Sequence, residues 1–238
     1  VTDLSELKFF KTPAHACSYL PDREATTLFV DPMAEISTDV YSALSALGFR
    51  RSGDHIYRPY CENCQACIPV RIPVQEFIPS RNQKRVLKRN QDLVVKAQIP
   101  YLSEPYYRLY ESYINHRHAD GDMFPASPDQ FQSFLVDGRR EAIFFEITLN
   151  RQLIGVAVVD QLNDGLSAIY TFFEPAQTQR SVGKFAILWL VEECKRRGLP
   201  YLYLGYWIEQ CWKMSYKADY KPLQTFVNHQ WITQLKEL

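Results

Sequence analysis

The chain has 238 residues, enough for one large domain or two small ones, each with its own core. Lys plus Arg equal Asp plus Glu, so total charge points to no polyanionic partner, and no apolar run reaches membrane-spanning length. No basic region followed by an apolar core opens the chain, so a cytoplasmic protein is expected, with no membrane partner. The sequence predicts a short helix over Asp39–Gly48, where Val40, Ala43, Leu44 and Leu47 recur at helical spacing and Gly48 supplies the stop. Cys61, Cys64 and Cys67 follow at C-x2-C-x2-C spacing, and Val70–Phe77 alternates as a strand does. Ser80 is placed to cap a basic helix. Its residues Arg81, Lys84, Arg85, Lys88 and Arg89 fall within about 140° of one another at helical pitch, while Val86 and Leu87 lie off that face and can anchor it. Between Arg71 and Lys96 there are seven basic residues and two acidic ones, a local net charge of +5 on a neutral chain. Such a face is the expected electrostatic footprint of RNA-backbone contact, the alternative being an ordinary solvated face.

Pro100 to Pro105 reads as a linker, dividing residues 1–100, a Cys-cluster and basic-helix region, from residues 101–238. Beyond it the sequence predicts a helix over Glu104–His118, with Tyr107, Leu109, Tyr110 and Ile114 turned inward, and a second near Pro128–Leu135. Three strands follow: Ala142–Thr148, Leu153–Asp160 and Leu166–Phe173. Asn150-Arg151 and Asn163-Asp164-Gly165 turn between them. A long helix over Ser181–Arg197 closes at Gly198. The strand Tyr201–Tyr206, a short helix near Lys213–Lys217 and a last strand around Thr225–Trp231 complete the chain.

This order of elements is α+β and resembles the GNAT acyltransferase fold. In that fold a coenzyme pyrophosphate sits on backbone N–H groups where a Q/R-x-x-G-x-G/A loop opens the long helix. Here the segment is Arg180-Ser181-Val182-Gly183-Lys184-Phe185, and Phe185 is expected to obstruct a phosphate. Five segments carry a closer resemblance. They are Pro13–Pro21 with His15, Cys17 and Tyr19; Tyr57–Cys61 leading into the thiol run; Ser80–Arg85; Ile169–Pro175 with Tyr170, Phe173 and Glu174; and Tyr203–Ile208 with Gly205 and Tyr206. In this order, over nearly the whole chain, they resemble the aminoacyl-tRNA–protein transferases. The nearest branch is the bacterial one that is related to the eukaryotic arginyl-tRNA–protein transferases and is specific for N-terminal Asp or Glu. The resemblance implies transfer of leucine from leucyl-tRNA to such N-termini, marking the protein for degradation. An arginyl donor, a coenzyme A-dependent N-acetyltransferase and a non-catalytic RNA-binding module are the alternatives. The sequence departs from the eukaryotic pattern in one place: Leu20 stands where a second cysteine would complete a C-x2-C pair with Cys17.

Aminolysis of an activated ester requires no cofactor. Tyr170, Glu174 and Tyr206 are the candidate polar groups at the reaction, although each aromatic among them has an equal reading as core. Lys213 and Lys217, four apart, are expected to share a helix face and to meet the acceptor's carboxylate, with Arg71 or Arg81 as the other source of positive charge. Cys17 could join Cys61, Cys64 and Cys67 as a fourth thiolate, or His15 or His55 could supply nitrogen, for a structural zinc or iron–sulfur cluster. The alternative is a reduced thiol cluster packed in a Pro-rich loop. Cys194 is expected in the core and Cys211 in a structural role.

Overall fold

The computed structural model describes residues 3–119, 121 and 123–234. The N-terminal region builds short strands: β1 (Phe9–Lys11), β2 (His15–Ala16), β3 (Glu24–Ala25), β4 (Thr27–Val30), β5 (Arg50–Ser52) and β6 (His55–Pro59). Four form a sheet in the order β1-β4-β6-β5, and β2 pairs β3 alone. The helix α1 (Thr38–Ala46) lies between β4 and β5. It begins one residue earlier than the sequence predicts because Ser37 is the cap, its hydroxyl accepting from the Val40 N–H at 3.2 Å.

The remaining elements build one eight-stranded sheet and its helices. They are β7 (Ile68–Pro73), α2 (Arg81–Arg89), β8 (Leu93–Gln98), α3 (Glu104–Arg117), α4 (Pro128–Phe131, passing into a π-helical turn over Gln132–Val136), β9 (Ala142–Leu149), β10 (Gln152–Gln161), β11 (Gly165–Phe173), α5 (Val182–Arg196), β12 (Tyr201–Trp207), α6 (Trp212–Ser215, followed by a 3-10 turn over Tyr216–Asp219), β13 (Leu223–Val227) and β14 (Gln230–Gln234). The strand order is β14-β13-β7-β12-β11-β10-β9-β8, and β11–β12 is the parallel pair, joined through α5 as parallel neighbours must be. The single last strand expected around Thr225–Trp231 is a hairpin instead. Asn228 and His229 both take positive φ, 50° and 61°, which is the backbone of a tight two-residue turn. This is the α+β arrangement that the sequence predicts, built on a mixed sheet.

The division expected at residue 100 runs through this sheet. β7 and β8 precede it, yet β7 is hydrogen-bonded to β12 and β13, and β8 to β9. α5 covers one face through Phe185, Leu188, Val191 and Cys194, while Tyr106, Tyr110 and Ile114 of α3 join Phe144, Val156, Val158 and Phe172 on another core. The N-terminal sheet is held to β10 by a fully buried ion pair. Arg51 donates to Asp160 from Nε at 2.5 Å and from Nη2 at 2.7 Å, and the Tyr41 hydroxyl donates to the same carboxylate at 2.6 Å. No described helix is long and apolar enough to cross a membrane.

Candidate functional site

The parallel strands β11 and β12 part from each other. They pair at Gly165–Tyr201, Leu166–Leu202 and Ser167–Tyr203 and no further, although β11 runs on to Phe173 and β12 to Trp207. Both strands are irregular there: on β11 the register against β10 skips Ile169, between Ala168 and Tyr170. On β12, Gly205 adopts φ of +79°, a conformation open to glycine, and the register against β7 shifts between Tyr203 and Gly205. Beyond Ser167 and Tyr203 the two strands share no ladder bonds, which leaves the sheet open between their ends.

Tyr170 lies on β11 beside the opening, its ring edge-on to Phe134, Tyr113 and Tyr110 at 5.4, 6.2 and 6.4 Å. Its hydroxyl is buried and has no hydrogen-bond partner among the described residues. Burial, with Tyr113 and Tyr110 nearby, raises its pKa far above the ordinary value, so it stays a neutral donor. Glu174 follows the strand end, half-buried, its carboxylate accepting from the Ala176 N–H at 3.2 Å. Tyr206 is turned elsewhere. Its hydroxyl donates to the Gly48 carbonyl at 2.9 Å, which ties β12 to the loop after α1. A side chain on Gly48 would meet Pro69 of β7 at 2.9 Å, so this junction is closely packed.

Of the four residues expected at the acceptor carboxylate, Arg81 lies on α2 and the other three are differently placed. Lys213 and Lys217 do not share a helix face, because α6 ends at Ser215 and a 3-10 turn begins at Tyr216. Lys213 stays half-exposed, its ammonium 5.7 Å from the Trp212 ring centre. Lys217 is buried, 6% exposed, and donates to the Tyr206 carbonyl at 2.5 Å and to the Met214 sulfur at 3.1 Å. Burial first, and then the Arg50 charge, lower its ammonium to about 7. Arg71 is buried where β7 crosses the paired end of β12. Its Nε donates to Gln224 at 2.7 Å and its Nη1 to the Tyr203 hydroxyl at 3.1 Å, and its guanidinium lies 3.4 Å from the Tyr201 ring centre and 4.2 Å from that of Trp231.

At the start of α5 the obstruction expected of Phe185 is corrected. Phe185, in the first turn of α5, is 5% exposed and its side chain belongs to the hydrophobic core. A different ring covers that end: a Cβ on Gly183 would stand 3.2 Å from Cε1 of Phe173. Nothing in the spacing of the Arg180–Phe185 segment signals this, because Phe173 comes from the preceding strand.

The basic helix α2 flanks the same region. Ser80 and Gln83 form a reciprocal capping box, the Gln83 N–H donating to the Ser80 hydroxyl at 3.4 Å and the Ser80 N–H to the Gln83 side chain at 2.8 Å. Buried Gln83 also donates to the Asp219 carbonyl at 3.1 Å, and buried Asn90 to the Arg180 carbonyl at 2.8 Å. Arg180 in turn grips Asp92 with two bonds of 2.8 and 2.9 Å. These contacts fix α2 against the loop that leads into α5 and against the segment after Lys217. Arg81, Lys84, Arg85 and Lys88 are exposed and line one shallow groove, while Arg89 donates to the Gln179 carbonyl. No ion pair with a described residue engages the four that line the groove.

Cys17, Cys61, Cys64 and Cys67 are free and half-buried; Cys17, Cys64 and Cys67 pack with Leu20, Ile208, Met214 and a further thiol, Cys211, while the Cys61 thiol donates to the Thr26 carbonyl at 3.7 Å. Burial and the neighbouring Cys17, Cys61, Cys64 and Cys211 push the Cys67 thiol up to about 12. Sequence spacing gave no sign that Cys211 joins this group. Four thiols are a soft donor set suited to zinc or iron–sulfur chemistry. Yet among the described residues no three His, Cys, Asp or Glu side chains are placed to hold a metal ion. His15 and His55 are exposed; His55 lies 2.6 Å from Asp54.

Residues 15–85 match the family described as Arginine-tRNA-protein transferase, N terminus, and residues 105–227 match Arginine-tRNA-protein transferase, C terminus. The aspartate/glutamate leucyltransferase of Pseudomonas fluorescens (strain SBW25) is 54% identical over 233 residues, covering 98% of this chain and 99% of that protein. That of Marinobacter nauticus is 57% identical over 231 residues, covering 97% and 98%. Among solved structures, L-PGS from Bacillus licheniformis is 9% identical with a TM-score of 0.47, over 85% of this chain and 69% of that one. With identity above one half along nearly all of both chains, this chain belongs to the aspartate/glutamate leucyltransferases of the arginine-tRNA-protein transferase family.

Proposed function

We propose that this protein transfers leucine from leucyl-tRNA to the α-amine of proteins that begin with Asp or Glu, and so marks them for N-degron degradation. The observation that carries this is the full-length similarity to proteins named for that transfer. The α-amine has a pKa of roughly 8, so a useful fraction is neutral near pH 7 and no strong base is needed. Its nitrogen attacks the ester carbonyl, the bond to the ribose oxygen breaks, and the proton lost by the amine goes to that oxygen. The protein orients the amine and ester and stabilises the oxyanion.

In this reading the opening between β11 and β12 receives the two reacting groups. The unpartnered Tyr170 hydroxyl is the donor offered to the oxyanion, and Glu174 lies at the same strand end. The exposed face of α2 takes the tRNA phosphates. The thiol pocket packs the N-terminal region and takes no part in the chemical step. The reading implies a cytoplasmic location. A coenzyme A donor is disfavoured by Phe173, whose ring stands against Gly183 where a pyrophosphate would need close backbone approach.

One assay tests this: purified protein with labelled leucyl-tRNA, labelled arginyl-tRNA, labelled acetyl-coenzyme A and a peptide beginning with Asp. Leucine is expected on the peptide α-amine, with neither arginine nor acetate. Acetyl transfer without leucyl transfer would overturn the proposal.

A further inference from the structure

An acceptor that begins with Asp or Glu carries a carboxylate one or two methylenes from its α-carbon. Preferring it to Asn or Gln, which have nearly the same shape, requires a cation beside the place of the amine. Most cations around the opening are already engaged. Lys217 donates to the Tyr206 carbonyl, Arg180 is paired with Asp92, Lys184 lies 3.7 Å from Asp219, and Arg71 is stacked beneath the paired end of the strands.

Arg117 differs. It is the last residue of α3 and is exposed, and no ion pair with a described carboxylate engages it. Its guanidinium carbon lies 5.9 Å from the centre of the Phe173 ring. Phe173 ends β11 and covers Gly183, and Tyr113 of the same helix packs on it at 4.9 Å. Arg117 therefore stands where α3, the open end of β11 and the start of α5 meet. A guanidinium resting against an aromatic ring keeps its in-plane N–H groups free, in the fork that matches a carboxylate.

We propose that Arg117 reads the side-chain carboxylate of the acceptor's first residue, which lies against the aromatic wall of Phe173 and Tyr113 with its amine directed into the opening. The inference rests on the leucyltransferase reading and names its acceptor-specificity residue. A charge-assisted bidentate contact is worth roughly 10–100-fold in binding.

The experiment compares wild type with Arg117→Ala and Arg117→Lys. It measures kcat/KM with leucyl-tRNA for peptides that begin with Asp and with Asn, leucyl-tRNA affinity, and direct binding of a fluorescent Asp-initiated peptide. Arg117→Ala is expected to lose roughly 10–100-fold on the Asp peptide, mainly through KM, with Asn transfer and tRNA affinity unchanged. Arg117→Lys should recover part of that loss. An unchanged Asp-to-Asn ratio in Arg117→Ala overturns the proposal and leaves Arg117 a surface partner of the helix dipole. Absence of leucyl transfer by wild type would overturn the leucyltransferase reading instead. Peptide binding then decides alone: a preference for Asp that Arg117→Ala abolishes upholds the assignment, and equal binding by both proteins sinks it.

Discussion

Two regions of the molecule gather positive charge. On α2, Arg81, Lys84, Arg85 and Lys88 stand in solvent around one groove. Along the N-terminal side of the large sheet, Arg50, Arg51, Arg71 and Lys217 are all buried. Of these, Arg51 alone has a carboxylate fully on its guanidinium; Arg50 instead lies 5.2 Å from the Tyr203 ring centre and donates to the Ser45 and Phe49 carbonyls at 3.1 and 2.6 Å. An exposed cation without a partner costs the fold little and remains available to a polyanion. A buried one must be matched by dipoles, rings or carboxylates, and once matched it is part of the architecture. The cations expected from sequence to serve a ligand divide along this line. The α2 set remains available, whereas Arg71 and Lys217 have become structural.

The largest expected effect comes from breaking the buried side. Asp160→Ala leaves Arg51 and Tyr41 facing an empty acceptor position and should cost about 3–5 kcal/mol in urea unfolding. Survival of wild-type stability would show that buried charge is not what joins the N-terminal sheet to β10. Next is the exposed side. Replacing Arg81, Lys84, Arg85 and Lys88 with Ala should leave the unfolding curve in place, while the log–log salt dependence of tRNA affinity flattens by ~0.7–0.9 for each phosphate that is no longer neutralised. If the slope and activity stay as they were, the groove is merely solvated.

The smallest and finest effect concerns Lys217. Its ammonium is lowered to about 7 in the folded protein, against 10.5 for the ordinary side chain. Between these values the unfolded chain binds more protons than the native one, so stability contributed at this position rises with pH from about 7 upward. The Cys67 thiol, raised to about 12 from 9, acts with the opposite sign above pH 9. Lys217→Met should therefore exceed wild type most at pH 6, with the difference shrinking between pH 7 and 9. A constant difference over that range would show that the buried amine keeps its proton.

Much of the fold could be read from local signals. Ser80 and the 3.6-residue rhythm mark α2, the alternation around Asn150-Arg151 marks β9 and β10, and Gly198, at φ of +69°, ends α5. The strands β1 to β6 escaped because they are short, and β1 to β3 lie largely at the surface, where no alternation appears. The site was only partly legible for a different reason. Tyr170 and Tyr206 look equivalent in sequence. One hydroxyl finds no partner among the described residues, and the other reaches a carbonyl 158 residues away. Arg117 carries no sequence signal of its own; Phe173, from another element, gives it a place.

The central position of β7 bears on how the chain is made. Both its edges pair with strands that follow residue 200, so on the ribosome this apolar segment emerges long before β12 and β13 can cover it. Closing so distant a contact is slow, and an uncovered strand invites association with other chains. Pro69 and Pro73 lie within β7 and offer no N–H to a passing strand. The two prolines leave the segment a poor template for foreign pairing through the interval of synthesis, yet compatible with its final partners, whose side of the ladder supplies the remaining bonds.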